Sequence, residues 1–156
     1  MLVIVSLIVL WVAGGGQRSV APYVAIGGVV PDFLLIATGC LALFGSRRSG
    51  SVIGFFAGVL EGALAGANLA AYAVSRTIGG FVAGWFTSLE FEANAGVAFF
   101  IVLATSVLAQ LLLVFVAPPG QLVPFLLATI GSAVYNGVLA MPLYALLRRV
   151  LDPPTR

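Results

Sequence analysis

The two longest apolar stretches of this chain constrain its fold most. Residues 95–116 and 122–147 contain no charged side chain, and each is long enough for the roughly 20 helical residues that cross about 30 Å of hydrocarbon. Only 8% of all residues are charged and 62% are hydrophobic, whereas soluble domains carry about 25% charged residues. The sequence therefore predicts an integral membrane protein, with residues 1–156 forming one membrane domain.

Four more apolar blocks precede these two, namely residues 2–13, 33–44, 52–69 and 70–86. The first block reaches only about 18 Å as a helix, so it is either completed by the glycines that follow it or is a tilted or partly inserted helix. A cleaved signal peptide is the alternative, but the basic start and small-residue cleavage site are missing. The blocks lack the alternation of barrel strands. We predict an all-α polytopic transmembrane bundle of six helices, with five as the alternative.

Arginine placement predicts the orientation of the chain, because cytoplasmic loops are enriched in basic residues. With six spans and a cytoplasmic N-terminus, the inside segments hold Arg47, Arg48, Arg148, Arg149 and Arg156. The outside segments hold only Arg18, and Arg76 lies within a span. Glu90 and Glu92 also fall inside, where acidic residues count for little. Both termini are therefore expected in the cytoplasm.

Small residues recur on one face of the third block. Four glycines stand at every fourth position: Gly54, Gly58, Gly62 and Gly66. On a helix they form a groove without side chains, which another helix backbone can approach closely. Gly80 and Gly84 give the next block a matching face. We expect a tight hairpin between the third and fourth helices; the alternative is that a partner protein's helix docks in the same groove.

Two ionisable side chains lie inside these neighbouring blocks. Glu61 is seven residues before Asn68 and Arg76 is eight after it, so a turn near Asn68 brings them to a similar depth. A carboxylate within a span costs roughly 2.5 to 3.5 kcal/mol and needs a partner. We predict that Glu61 and Arg76 pair. Such a pair either fixes the register of the two helices, which we prefer, or takes part in proton or ion transport.

Uncharged polar side chains recur in the last two blocks, one helical turn apart: Ser106 and Gln110, then Ser132 and Asn136. For these we prefer hydrogen bonding between helices over ligand binding. Gly137 and Pro142 indicate close packing and a kink in the last helix. Asp32 follows Pro31 at the start of another block, where its carboxylate can cap helix amides.

Residues that carry catalysis or bind metals are scarce. The chain has no histidine and a single cysteine, Cys40, within an apolar block. No two carboxylates share a block, and Gly14-Gly15-Gly16 lacks the lysine of a phosphate-binding loop. No basic stripe with aromatic residues indicates nucleic-acid binding. We therefore predict no enzyme activity, no cofactor, no metal and no nucleic-acid partner.

Two stretches of the chain resemble the rod shape-determining protein MreD family. The first combines residues 30–35 (VPDFLL) with residues 54–61 (GFFAGVLE); Val30 stands where the family has arginine and Glu61 where it has aspartate. The second is residues 135–144 (YNGVLAMPLY), which precede Arg148-Arg149. They are similar to the family's terminal helix, with its asparagine, its proline and its basic tail.

The resemblance implies a noncatalytic component of the cell-elongation machinery in the bacterial cytoplasmic membrane. Members associate with the bitopic protein MreC, and through it with the glycosyltransferase RodA and a class B penicillin-binding transpeptidase. The resemblance also implies a six-helix fold similar to the substrate-capture subunits of energy-coupling-factor transporters. The Arg47-Arg48 segment and the basic tail would lie near anionic lipid.

Two other functions compete with this one. A substrate-binding subunit of an energy-coupling-factor transporter would hold a vitamin or metal in an outward-facing cavity, although the short outside loops around Asn68 and residues 118–120 offer little to enclose it. A proton-coupled carrier would use Glu61 and Arg76.

Overall fold

The computed structural model describes residues 1–66, 68–89 and 92–151, and the chain forms six α-helices there. They are α1 Leu2–Ser19, α2 Phe33–Ala42, α3 Arg47–Ala65, α4 Leu69–Phe86, α5 Ala95–Val116 and α6 Leu122–Leu151. One turn of 3₁₀ helix, Thr87–Leu89, follows α4. Over the described ranges no strand forms, only an isolated bridge between Ile26 and Val29. The prediction of an all-α protein with six helices is confirmed.

Three of the helices, α1, α5 and α6, are long and apolar enough to cross a membrane. This agrees with the prediction of a membrane protein. α3 and α4 are of similar length to α1 but are not among these three; α3 contains Arg47, Arg48 and Glu61, and α4 contains Arg76. α2 has 10 residues and reaches only about 15 Å. By itself α2 is too short to cross the hydrocarbon, because residues 43 and 44 of its apolar block leave the helix; the prediction of six spans stays a prediction.

Polar side chains decide where four helices begin, by accepting a backbone N–H of the first turn: Asp32 for α2, Ser46 for α3, Asn68 for α4 and Asn94 for α5. Gly66 ends α3 in the left-handed conformation, with φ 61° and ψ 27°, which glycine adopts without steric cost. The assignment of Gly66 to the glycine groove is therefore wrong, because this residue terminates the helix.

Three helices extend several residues beyond their apolar blocks. α1 continues through its three glycines to Ser19, which is one of the two outcomes considered for the short first block. α3 begins at Arg47, after the Ser46 cap, so the Arg47-Arg48 pair lies in its first turn and not in a loop. α6 likewise continues past Arg149 to Leu151. Arg156 and Glu90 lie outside the described residues.

The short helix α2 lies at the centre of the bundle. Residues 34–42 are all buried, and α1, α3, α4, α5 and α6 all pack on α2. α3 packs closely on α4, and α5 on α6, as two antiparallel pairs. α1 lies at the periphery, where it packs on α2 and α3.

The two ends of the bundle differ in charge. At one end, Leu2 and Arg48 line a common depression, and Glu92 and Arg148 line another. The opposite end contains Arg18, whose Nη1 donates to the carbonyl of Leu64 at 2.7 Å. It also contains the α1–α2 connection (residues 20–32), which reverses at two glycines with positive φ.

Candidate functional site: a buried polar cluster

Arg76 is the largest fully buried side chain in the described part of the protein, with an exposed fraction of 0%. Its Nε donates to Oε2 of Glu61 at 2.7 Å and its Nη2 to Oε1 at 2.6 Å. Two parallel bonds of this kind give a charge-assisted pair with fixed geometry. The predicted pairing of Glu61 with Arg76 is therefore confirmed.

Asp32 is a second carboxylate on the same arginine. Arg76 Nη2 also donates to Asp32 Oδ2 at 2.7 Å, while Asp32 Oδ1 accepts from the backbone N–H of Leu35 at 2.9 Å. The expected helix cap is confirmed, but the contact with Arg76 could not be predicted. The only sequence signal for it was a carboxylate at the start of an apolar block.

Asn136 extends this arrangement to the last two helices. Its Oδ1 accepts from the backbone N–H of Asp32 at 2.9 Å, and its Nδ2 donates to Ser106 Oγ at 3.1 Å. Hydrogen bonding between helices is thereby confirmed for Asn136 and Ser106. We call the five connected residues the polar cluster: Asp32, Glu61, Arg76, Ser106 and Asn136. Each comes from a different one of the helices α2 to α6, with Asp32 as the cap of α2.

Side chains of α1 and α6 fasten the α1–α2 connection beside the polar cluster. Gln17 donates through Nε2 to the carbonyl of Pro31 at 3.0 Å and accepts from the N–H of Phe33 at 2.6 Å. Tyr135 donates its hydroxyl to the carbonyl of Val24 at 2.8 Å. Because Pro31 and Phe33 flank Asp32 on the chain, the two Gln17 bonds fix the position of Asp32.

Gln110 and Ser132 were also singled out from the sequence, and both lie outside the polar cluster. Ser132 donates to the carbonyl of Val30 at 3.3 Å. Gln110 and Ser132 line, with Thr129, a depression of about 260 Å³ next to the α1–α2 connection.

The electrostatics of the polar cluster are unbalanced. One guanidinium faces two carboxylates, and both carboxylates contact the same nitrogen, Nη2. Arg76 Nη1 is buried without a hydrogen-bond partner among the described residues. The Tyr72 ring lies 5.5 Å from Arg76 Cζ, within range of a cation–π contact. Most donors and acceptors of the cluster are thus directed at one another. Such an arrangement can fix the positions of the helices relative to one another.

The glycine groove positions Arg76. A Cβ on Gly50, Gly54 or Gly58 would collide with backbone of α4, at the carbonyls of Gly80, Arg76 and Tyr72 respectively. A Cβ on Gly62 would lie 2.8 Å from Cα of Leu69. On the facing side, Gly80 packs on Gly50 and Gly84 on Ser46. The predicted α3–α4 hairpin is confirmed, and the groove is occupied by α4 and therefore closed to a partner helix.

A second groove faces outward. We call it the α1/α6 groove: its walls include Ile8, Val12, Gly16, Leu139, Leu143 and Leu146, and α2 forms its floor. Its volume is about 450 Å³ and its surface is almost entirely apolar. On the other side of α1, a smaller depression of about 370 Å³ lies between α1 and α3, with Leu7 in its lining.

Within residues 1–66, 68–89 and 92–151, no three histidine, cysteine or acidic side chains are grouped so that they could hold a metal ion. Cys40 is buried in α2, and its thiol lies 3.5 Å from the carbonyl of Ala140. Comparison with models of known protein families, with curated proteins and with solved structures gives no match. The resemblance to the MreD family therefore stays a prediction from motifs.

Proposed function

We propose that this protein is a noncatalytic scaffold of the bacterial cell-elongation complex. It docks the transmembrane helix of an MreC-like bitopic partner in the α1/α6 groove. Through that partner it joins a RodA-type glycosyltransferase and a class B penicillin-binding transpeptidase. It resides in the bacterial cytoplasmic membrane.

The residues of the MreD-like motifs support this proposal because they meet in one place in the structure. Asp32, Glu61 and Asn136 come from three separate segments of the stretches that resemble the MreD family. All three belong to the polar cluster, although Asp32 and Asn136 are 104 positions apart in sequence. The motifs thus have a common structural purpose, which is to join α2, α3 and α6.

The use of the ionisable groups also supports a scaffold. The buried charges of the described region, on Asp32, Glu61 and Arg76, bind one another. Apart from Arg76 Nη1, the donors and acceptors of these three side chains are paired within the bundle, and hydrogen bonds of this kind rigidify a core. What remains available to another molecule within the membrane is the outer surface of the helices.

The observation that carries the proposal is the position of α1. This helix packs on α2 and α3 but stands apart from α6, which leaves the α1/α6 groove open along its side. Small residues line the groove at Ala13, Gly16 and Ala37. Lipid tails are as apolar as helix side chains, so helices associate in bilayers where small residues allow close packing. Because small residues line the α1/α6 groove, a partner helix can pack closely in it.

The orientation follows from the charged ends of the bundle. Arg47, Arg48, Arg148 and Arg149 belong to the end that contains the N-terminus, and Arg18 belongs to the other. With the arginine-rich end in the cytoplasm, as basic residues favour, both termini are cytoplasmic. The polar cluster and the α1–α2 connection then lie toward the outer face.

Two neighbouring residues of α1 give a matched test. Ile8 and Leu7 are each 59% exposed, but Ile8 lines the α1/α6 groove and Leu7 lines the depression on the other side of α1. We expect Ile8→Trp to reduce copurification of the MreC-like partner from native membranes at least tenfold, and Leu7→Trp to leave it unchanged. Equal recovery with both variants, or no association of the purified proteins in nanodiscs, would remove the proposal.

One observation favours the alternative of a transporter substrate-binding subunit. The depression beside the α1–α2 connection has a mostly apolar lining but contains three polar side chains, those of Gln110, Thr129 and Ser132. Its volume of about 260 Å³ is below the roughly 300 to 1,000 Å³ of typical ligand sites, which is why we rank this function second. A small molecule that stays bound through purification, found by mass spectrometry and lost in Gln110→Ala, would reverse the order.

A further inference from the structure

We propose that the polar cluster binds one proton, held between the carboxylates of Glu61 and Asp32. The bound proton makes the cluster electrically neutral while the helices are packed. This inference concerns the interior of the bundle and does not depend on the scaffold function.

The ionised side chains of the polar cluster carry one more negative charge than positive charge. Arg76 contributes one positive charge and cannot lose its proton in a protein, while Asp32 and Glu61 together contribute two negative charges when both are ionised. The side-chain exposures are 0% for Arg76, 8% for Asp32 and 14% for Glu61. An uncompensated charge is strongly disfavoured in such a setting.

The surrounding helices do not provide a second cation within the described residues. α1 presents the neutral Gln17 near Asp32, and its Arg18 is exposed and engaged with Leu64 at the end of α3. α5 and α6 present the uncharged Ser106 and Asn136. On α4 the neighbouring titratable group is Tyr72, a phenol that is neutral at neutral pH. α2 contains no charged residue.

The geometry of the arginine indicates where the proton lies. Asp32 Oδ2 and Glu61 Oε1 contact the same Nη2, at 2.7 and 2.6 Å, while Nη1 is buried and has no partner in the described structure. Glu61 also accepts from Nε, so the two carboxyls use Nε and a shared Nη2, while Nη1 has no partner among the described residues. Two ionised carboxylates that meet at one nitrogen repel each other, and a proton between them replaces this repulsion with an O–H···O bond, as when two carboxylates share one site.

Glu61 is the carboxyl that carries the proton. Asp32 Oδ1 already accepts the Leu35 N–H at the start of α2, where the helix dipole favours negative charge. Glu61 has no helix terminus beside it, so the proton lies on Glu61 and is directed toward Asp32 Oδ2. The 14% exposure of the Glu61 side chain lets this proton exchange with solvent.

Infrared spectroscopy of the whole protein in nanodiscs tests this assignment, because a protonated carboxyl has a carbonyl stretch that a carboxylate lacks. At neutral pH we expect one such band in the unmodified protein. The band should shift when the protein is labelled with ¹³C-carboxyl glutamate, and it should keep its intensity when sodium replaces potassium. No variant is needed for this part, so folding defects cannot obscure the result.

Variants then locate the band within the chain. The sequence has three glutamates, Glu61, Glu90 and Glu92. We expect Glu61→Gln to abolish the band and the double variant Glu90→Gln/Glu92→Gln to retain it in full. Absence of the band in the unmodified protein at neutral pH, its failure to shift with labelled glutamate, or its loss in sodium would overturn the proposal.

Discussion

The α3–α4 hairpin and the peripheral helix α1 are attached to the bundle in opposite ways. The hairpin packs backbone against backbone at Gly54 and Gly58. α1 exposes most of its surface; Leu10 and Gly14 pack on the bundle, and Gln17 and Arg18 form hydrogen bonds to it. In a bilayer, contact without side chains is a strong source of helix association. The hairpin therefore builds the fold, whereas most of the α1 surface is left uncovered by the rest of the described chain.

The largest effect expected on the hairpin side comes from Arg76→Met. This change removes the only cation that contacts Asp32 and Glu61 in the described structure. Breaking a buried ion pair from one side costs about 3 to 5 kcal/mol. We expect a loss of that size in the free energy of unfolding, measured by denaturation in mixed micelles. Arg149→Gln, at an exposed position of the last helical turn, is the control; a similar loss in both variants would contradict the comparison.

Gly54→Ala should come next in effect. The added Cβ would lie 2.8 Å from the carbonyl carbon and close to the oxygen of Arg76, so α3 and α4 must separate and the polar cluster must shift. Overpacking of a well-packed interior costs about 1 to 3 kcal/mol, and backbone on both sides puts this site near the upper value. Gly15→Ala on α1, where nothing lies within 4 Å, should stabilise by about 0.5 to 1 kcal/mol. Opposite signs in the two variants are the decisive result.

A smaller loss is expected for Asn136→Leu, which leaves the backbone N–H of Asp32 without its acceptor. An unsatisfied buried group costs about 1 to 3 kcal/mol. Ser132→Ala, which removes a weaker 3.3 Å bond one turn away, should cost less. If the two losses in unfolding free energy were equal, Asn136 would not be a special link between α6 and the cluster.

Gln17→Ala should have the smallest effect, about 1 kcal/mol, because it loosens α1 and the α1–α2 connection while the hairpin stays intact. Hydrogen exchange should increase at Phe33, whose N–H donates to Gln17, and stay slow in α3 and α4. Ser19→Ala, which removes only a bond within α1, serves as the control. Faster exchange throughout α3 would show that the two regions are not separate.

Local rules in the sequence were sufficient for the hairpin and its ion pair. The turn near Asn68 fixes the relative depth of Glu61 and Arg76, and the repeat of glycines fixes which faces meet. Gly66 was misassigned because it continues the four-residue spacing of the groove and also stands where α3 ends. The spacing alone does not distinguish these two roles.

Contacts over long sequence distances could not be predicted in the same way. Asp32 reaches Arg76 only because α2 is short and central, and because Gln17 and Asn136 hold the connection before it. The apolar block of residues 33–44 predicts a longer helix than α2, since composition does not reveal that Leu43 leaves the helix. The outward α1/α6 groove depends on how α1 is placed, for which the sequence contains no periodic signal.

We propose that the buried charges build the fold and that the partner helix binds the outer surface. The triple variant Asp32→Asn/Glu61→Gln/Arg76→Met separates these two roles, because removing a whole ion cluster is often nearly neutral where breaking it is costly. We expect the triple variant to recover most of the stability lost in Arg76→Met and to copurify with the MreC-like partner at the unmodified level. A triple variant that folds as stably as the unmodified protein but no longer binds the partner would contradict the account.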